Sequence, residues 1–177
     1  IHYQQGENDL ALGYFERVVV EFPRTASAKD AMDLVETIYI KSGRGDEYIA
    51  WVNGLPNGNI RITKQDSLMF ESAMGSYRSD DCLKAIIGFN KYIDRFSPNG
   101  FFLIHSHFYK SECQYHNNEI KNAIVGYKYV AGLPNNEFSE VSFSQLAQIS
   151  YNAKNYAEAL EYYDKLELIA DNRDNYI

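Results

Sequence analysis

Basic charge is in short supply in this 177-residue chain: 17 Lys and Arg stand against 24 Asp and Glu, a formal charge of -7. That balance disfavours broad attraction to nucleic-acid backbones, because Lys and Arg supply most of such affinity. Cysteine is scarcer still. Cys82 and Cys113 are the only two, too few for a disulfide framework and without a Cys-x-x-Cys pairing, so they leave the redox compartment open. Four prolines and no long Ser/Gly tract argue against a flexible linker, and no apolar run reaches the roughly 18 residues of a membrane span. Catalytic signatures are missing too: there is no Gly-rich phosphate loop, no Ser/His/Asp arrangement and no His-Glu-x-x-His helix, and the carboxylates are scattered rather than paired. The expectation is a chain that is not an enzyme, takes no cofactor or metal, and has no nucleic-acid partner.

What is present is apolar and periodic. Hydrophobic residues make up 45% and charged ones 23%, which suits one folded domain or a solenoid segment rather than a disordered chain. Four segments repeat a small residue followed four places on by an aromatic: Ala11 to Phe15, Ala85 to Phe89, Ala123 to Tyr127 and Ala159 to Tyr163. The last three alanines are 38 and 36 residues apart, and the first gap spans two such units. A fixed period in this range signals a helical solenoid.

The repeat resolves into helix pairs. Tyr156, Ala159, Leu160, Tyr163 and Leu166 fall on one stripe of an amphipathic helix. Asn155 with Glu158 marks its start, the Asn oxygen being suited to accept a free backbone N–H. Upstream, Phe143, Leu146, Ala147, Ser150 and Tyr151 place the antiparallel partner helix at about residues 138 to 152. Met69, Ala73 and Tyr77 before Cys82, Ala85, Ile86 and Phe89 keep the same order, as do His107, Ser111 and Tyr115 before Ile120, Ala123, Ile124 and Tyr127.

Prolines punctuate the second helices at Phe22-Pro23, Ser97-Pro98 and Leu133-Pro134, since proline lacks an N–H and stops propagation. Between Pro23 and Met69 the pattern degenerates. A helix at about 26 to 41, a break at Gly43-Arg44-Gly45-Asp46 and a short helix at 46 to 54 fit one irregular unit, with bulky Tyr48 where alanine is usual; a local change in packing is expected there. The units run approximately 1–24, 25–60, 61–98, 99–135 and 136–172, about nine helices in a single segment of a longer array. Tyr3 to Gly6 reads as the tail of a helix whose body is absent, and Asp171 to Ile177 as the start of another.

These residues resemble the tetratricopeptide repeat, whose first helix carries an aromatic, a Leu-small pair and a Tyr, and whose second carries a small residue, an aromatic and a closing proline. Phe143, Leu146, Ala147, Tyr156, Ala159 and Tyr163 match best. Lys110 and His107 depart from the pattern. The resemblance implies an all-α, right-handed superhelix of antiparallel helix pairs that binds a protein or peptide. The 36- to 38-residue period, the Phe-Pro and the Tyr-x-x-Ala-Leu-x-x-Tyr core are similar to repeats of bacterial envelope proteins, namely the outer-membrane-assembly lipoprotein and the Tol-Pal coordinator. That likeness implies a periplasmic or envelope scaffold, with a cytoplasmic one as the other possibility.

In proteins of this family the first helix of each pair lines the concave side, which brings forward Phe70, Met74, Tyr77, Phe108, Glu112, Tyr115, Gln148 and Tyr151. Tyrosine and methionine suit adaptable contact surfaces, although a tyrosine recurring at 77, 115 and 151 also suits packing between helices. The Lys and Asn set that clamps a peptide's terminal carboxylate is not visible. His105, His107, Glu112, Cys113 and His116 are the densest group of possible metal ligands, but His105 and His107 point some 160° apart on a helix, so they read as surface or packing residues. Arg44-Gly45-Asp46 reads as a helix break. Cys82 and Cys113 lie on neighbouring helices, where a bridge or two buried thiols are both conceivable. The expected function is a protein-interaction scaffold; the other reading is a helical regulatory or ligand-sensing domain attached to an enzyme elsewhere in the parent chain.

Overall fold

The computed structural model describes residues 8–134 and 136–174, with side chains described as far as Ile169. Among these residues there are nine helices and no strand: α1 (Asn8–Glu21), α2 (Ala26–Lys41), α3 (Gly45–Gly54), α4 (Ile62–Arg78), α5 (Cys82–Phe96), α6 (Leu103–His116), α7 (Ile120–Ala131), α8 (Ser139–Asn152) and α9 (Tyr156–Asp174). The expected helix tail at Tyr3 to Gly6 lies outside the described residues. Asp171 does not begin a new helix, because α9 runs through it to Asp174. The chain divides into two compact units, residues 1–91 and 92–177, the division falling inside α5.

Four turns join first and second helices, and all four have one backbone form. Gly43, Asp80, Asn118 and Lys154 adopt φ of 78°, 59°, 62° and 62°, the left-handed conformation that closes a helix and frees the chain to reverse. Each donates its N–H to the carbonyl three residues back, and the next residue donates to the carbonyl five back. Gly43 N reaches Ile40 O at 3.1 Å and Arg44 N reaches Tyr39 O at 2.9 Å; Asn118 N and Glu119 N repeat this on Tyr115 O and Gln114 O at 3.0 and 2.7 Å. The helix-end carbonyls are thereby satisfied without a long loop. Prolines 23, 56, 98 and 134 each lie just beyond a second helix, where their missing N–H interrupts nothing.

Counting from the left-handed residue sets one register for every hairpin. The fifth position holds Tyr48, Ala85, Ala123 and Ala159, the eighth Trp51, Gly88, Gly126 and Tyr162, and the ninth Val52, Phe89, Tyr127 and Tyr163. In the α4–α5 and α6–α7 hairpins the fifth and ninth side chains are fully buried. Their eighth-position glycines let the helices touch: a Cβ on Gly88 would lie 2.9 Å from Ala73 Cβ, and one on Gly126 would lie 1.9 Å from Ser111 Oγ. Small residues at the crossing and an aromatic one position on thus explain why the alanine-to-aromatic spacing recurs. The irregular α2–α3 hairpin reverses the sizes, with Tyr48 at the fifth position and Val52 at the ninth. Tyr48 is buried, its ring 5.9 Å from that of Tyr39 and its hydroxyl donating to Glu36 at 2.9 Å.

α9 departs from the stripe expected of it. Its buried face holds Ala159 and Tyr162, while Tyr156, Leu160 and Tyr163 are 59%, 61% and 46% exposed. The reason lies in what each second helix has on either side. α7 packs against both α6 and α8, so Tyr127 shares a cluster with Phe108 of α6 and with Leu146 and Ala147 of α8. Among the described residues no helix follows α9, and the positions matching Ile120, Ile124 and Tyr127 stay open. Asn155 also acts differently from its expected role: its Nδ2 donates to Glu158 Oε2 at 3.0 Å.

Candidate functional site

The eight residues brought forward from the sequence do not form one exposed surface. Phe70, Met74 and Phe108 are buried, Phe70 with its ring 6.2 Å from that of Phe89 and Phe108 stacked at 4.4 Å on Phe138. Their apolar area is used inside the units, so as placed they offer a partner no side-chain surface. Tyr77, Glu112 and Tyr115 are half-buried. Glu112 accepts a short hydrogen bond from the Tyr127 hydroxyl, and Tyr115 packs against the core cluster of the second unit. Only Gln148 and Tyr151 are exposed. Gln148 Nε2 donates to Asn152 Oδ1 at 2.9 Å, and the Tyr151 ring meets Tyr156 edge-on at 5.5 Å.

That last contact leads to a face the sequence reading assigned to the interior. Tyr156, Leu160 and Tyr163 lie at i, i+4 and i+7 on α9, one above another on the same side of the helix. With Tyr151 they present three aromatic rings and one aliphatic side chain to solvent. Phenol rings add hydrogen-bonding tips to large apolar area, the composition of contact surfaces. The signal that could have revealed this face was comparison across units: Ile120 and Ile124 are half-buried against a cluster to which α8 contributes Leu146, Ala147 and Ile149.

Glu158 anchors α9 against the helices before it. Its carboxylate accepts from Lys128 Nζ of α7 at 3.1 Å, from Ser150 Oγ of α8 at 3.1 Å and from the Tyr162 hydroxyl at 3.2 Å. The hydrogen bond from Lys128 comes first among the causes that hold the Glu158 carboxyl below its ordinary pKa, with Ser150 adding to it, and the same bond raises Lys128. One carboxylate therefore ties three helices together and keeps Tyr162 turned inward. That leaves Tyr163 turned outward.

The other candidates have structural roles. His105 Nε2 lies 3.1 Å from Glu137, and His107 stacks on Tyr129 with ring centroids 3.8 Å apart. Among the described residues no three His, Cys, Asp or Glu side chains converge as a metal site would require. Burial, with a smaller push from Lys110, lowers the His107 pKa to about 4. Cys82 and Cys113 are not joined in a disulfide, Cys113 being buried and Cys82 half-buried. Within Arg44-Gly45-Asp46, Arg44 sits 3.3 Å from Asp9 and lies over the Tyr39 ring, Gly45 N donates to Ser72 Oγ at 2.9 Å, and Asp46 pairs with Lys91 at 2.7 Å. All three residues are engaged in holding α3 within the first unit. No described helix is long and apolar enough to cross a membrane.

No protein-family model matches the sequence, and no curated protein matches it. The fold does have solved counterparts. A structure titled as the crystal structure of MamA superposes with a TM-score of 0.57 over 99% of this chain and 95% of that one, at 12% sequence identity. That neighbour is a tetratricopeptide-like helical solenoid, and at this identity the likeness establishes the fold: this chain has a tetratricopeptide-like architecture of helix pairs.

Proposed function

We propose that this chain is a protein-interaction scaffold, and that the open face of α9 receives an amphipathic helix, supplied by a protein partner or by a further repeat of the parent chain. The observation that carries this is the register match between α9 and α7. Of the α7 positions equivalent to Tyr156, Leu160 and Tyr163, Tyr127 belongs to the core cluster that includes Leu146 and Ala147 of α8, and Ile120 and Ile124 pack against that cluster. A helix with a similar large-small apolar stripe is therefore the occupant whose shape the face fits, the helix-in-groove mode of recognition. Contiguous exposed aromatic area of this kind marks interaction sites. The tetratricopeptide-like fold supports a scaffold, and the scattering of carboxylates supports a role without catalysis. An envelope location rests on the 36- to 38-residue period, the Phe22-Pro23 turn and the Tyr-x-x-Ala-Leu-x-x-Tyr core.

The test is a photo-crosslinking side chain placed at Leu160, compared with one at exposed Leu83 of α5. Crosslinks from position 160 to a helical segment of one identified protein, lost on Tyr163→Asp, are expected. Equal labelling from both positions, or labelling unchanged by Tyr163→Asp, would remove the α9 face from the account.

A further inference from the structure

The first unit holds a cleft of about 680 Å³ between the end of α1, the start of α2 and the end of α3. Its size lies within the roughly 300–1,000 Å³ of small-molecule sites. Val19, Val20, Ala28, Met32, Val52 and Leu55 form its walls, with Pro23 and Pro56 from the two adjoining turns. One of its walls, Val52, lies where the α2–α3 hairpin reverses the sizes. Val52 occupies the ninth position, where Phe89 and Tyr127 fill the other hairpins, and the displaced aromatic bulk sits at Tyr48, one helical turn away. A valine cannot fill what a tyrosine fills, and the neighbouring helices have not collapsed onto it.

Charge at the rim is one-sided. Among the described residues, Arg24 and Lys29 are the only ionisable ones lining the cleft, joined by polar Thr25 and Asn57. Both cations are exposed, and neither forms an ion pair among the described residues. In a chain of net charge -7, two unpaired cations beside apolar walls free of carboxylates make a local exception. Bringing a negative group there would offset their charge without an intramolecular competitor.

From this geometry we infer a binding site for a small amphiphile, an apolar chain ending in a single carboxylate, with the chain along Val19, Met32, Val52 and Leu55 and the carboxylate between Arg24 and Lys29. This ligand site is independent of the α9 face.

The experiment titrates the protein with octanoate, octan-1-ol and octylammonium, following backbone amide shifts by NMR. Octanoate is expected to bind saturably, shifting Val19, Ala28, Met32 and Leu55. Octylammonium should bind at least about tenfold more weakly, and octanol between them. Decanoate should bind about tenfold more tightly than octanoate, since each buried methylene adds to affinity. Val52→Phe fills the cleft and should weaken octanoate about tenfold or more; Arg24→Glu with Lys29→Glu, both at exposed positions, should invert the preference between octanoate and octylammonium. Equal affinity for the three octyl compounds would overturn the proposal, as would no saturable shift at these residues. Octanoate binding untouched by both variants would also overturn it, and so would an acidic apolar tripeptide that displaces octanoate at lower concentration.

Discussion

The α2–α3 and α6–α7 hairpins share a turn but not an interior. Both close on a left-handed residue, Gly43 or Asn118, with the same pair of backbone hydrogen bonds. Beyond the turn they diverge: Tyr48, Trp51 and Val52 in one stand where Ala123, Gly126 and Tyr127 stand in the other. The small pair in α6–α7 allows close crossing and a filled ninth position. The large pair in α2–α3 places its bulk nearer the turn and leaves a cleft toward the far end. Backbone register and side-chain filling are thus set by different residues, and a repeat can keep the first while changing the second.

The largest expected effect comes from emptying the filled hairpin. Tyr127→Ala should cost about 3–5 kcal/mol in urea denaturation, part of it from leaving Glu112 without its hydroxyl partner. Val52→Ala should cost about 1 kcal/mol, because its side chain already borders open space. Equal losses would erase the distinction between the two interiors.

Protonation separates the hairpins next. His107 and Met32 both lie eleven residues before their turn residue, and only the histidine titrates. Its folded pKa of about 4 lies below the ordinary 6.5, so above pH 6.5 both folded and unfolded chains hold it neutral and its full stability is present. As pH falls from 6.5 to about 4 the unfolded chain takes up a proton that the folded chain resists, and stability is lost. His107→Phe should flatten this part of the stability profile measured between pH 7 and 4. A steeper decline in the variant would contradict the assignment.

Close crossing gives a smaller effect. Gly126→Ala should cost about 2 kcal/mol, since the added methyl meets Ser111 Oγ and the His107 carbonyl. Gly13→Ala, with nothing within 4 Å of its Cβ, should instead raise stability by about 0.5–1 kcal/mol. Thermal unfolding of the pair checks both signs. At the turns themselves, Gly43→Ala should cost about 1 kcal/mol and Asn118→Gly should change stability by less than about 0.5 kcal/mol, because asparagine tolerates the left-handed region and alanine does not.

Much of the architecture could be read from the chain. Alanine and aromatic spacing, the prolines and the Tyr markers located the helix pairs because each reflects a local constraint on crossing or termination. The irregular unit was also visible, through Tyr48 at an alanine position. Burial was harder to read. Phe70, Met74 and Phe108 fall on first helices as expected, yet helical spacing alone does not tell which side of such a helix meets a neighbour. Tyr156, Leu160 and Tyr163 satisfy the amphipathic pattern as well as Ile120, Ile124 and Tyr127 do, and differ only in having no described helix against them. The cleft could not be read at all, since it depends on volume missing at Val52 rather than on a residue that is present.

Urea unfolding of Val52→Phe, with Tyr127→Phe as its companion in the filled hairpin, tests most directly whether the ninth position is hollow in one hairpin and full in the other. The account predicts that Val52→Phe leaves stability unchanged or raises it by about 1 kcal/mol, as apolar area enters existing space. A loss of about 1–3 kcal/mol, the cost of forcing a ring into a packed interior, would contradict it.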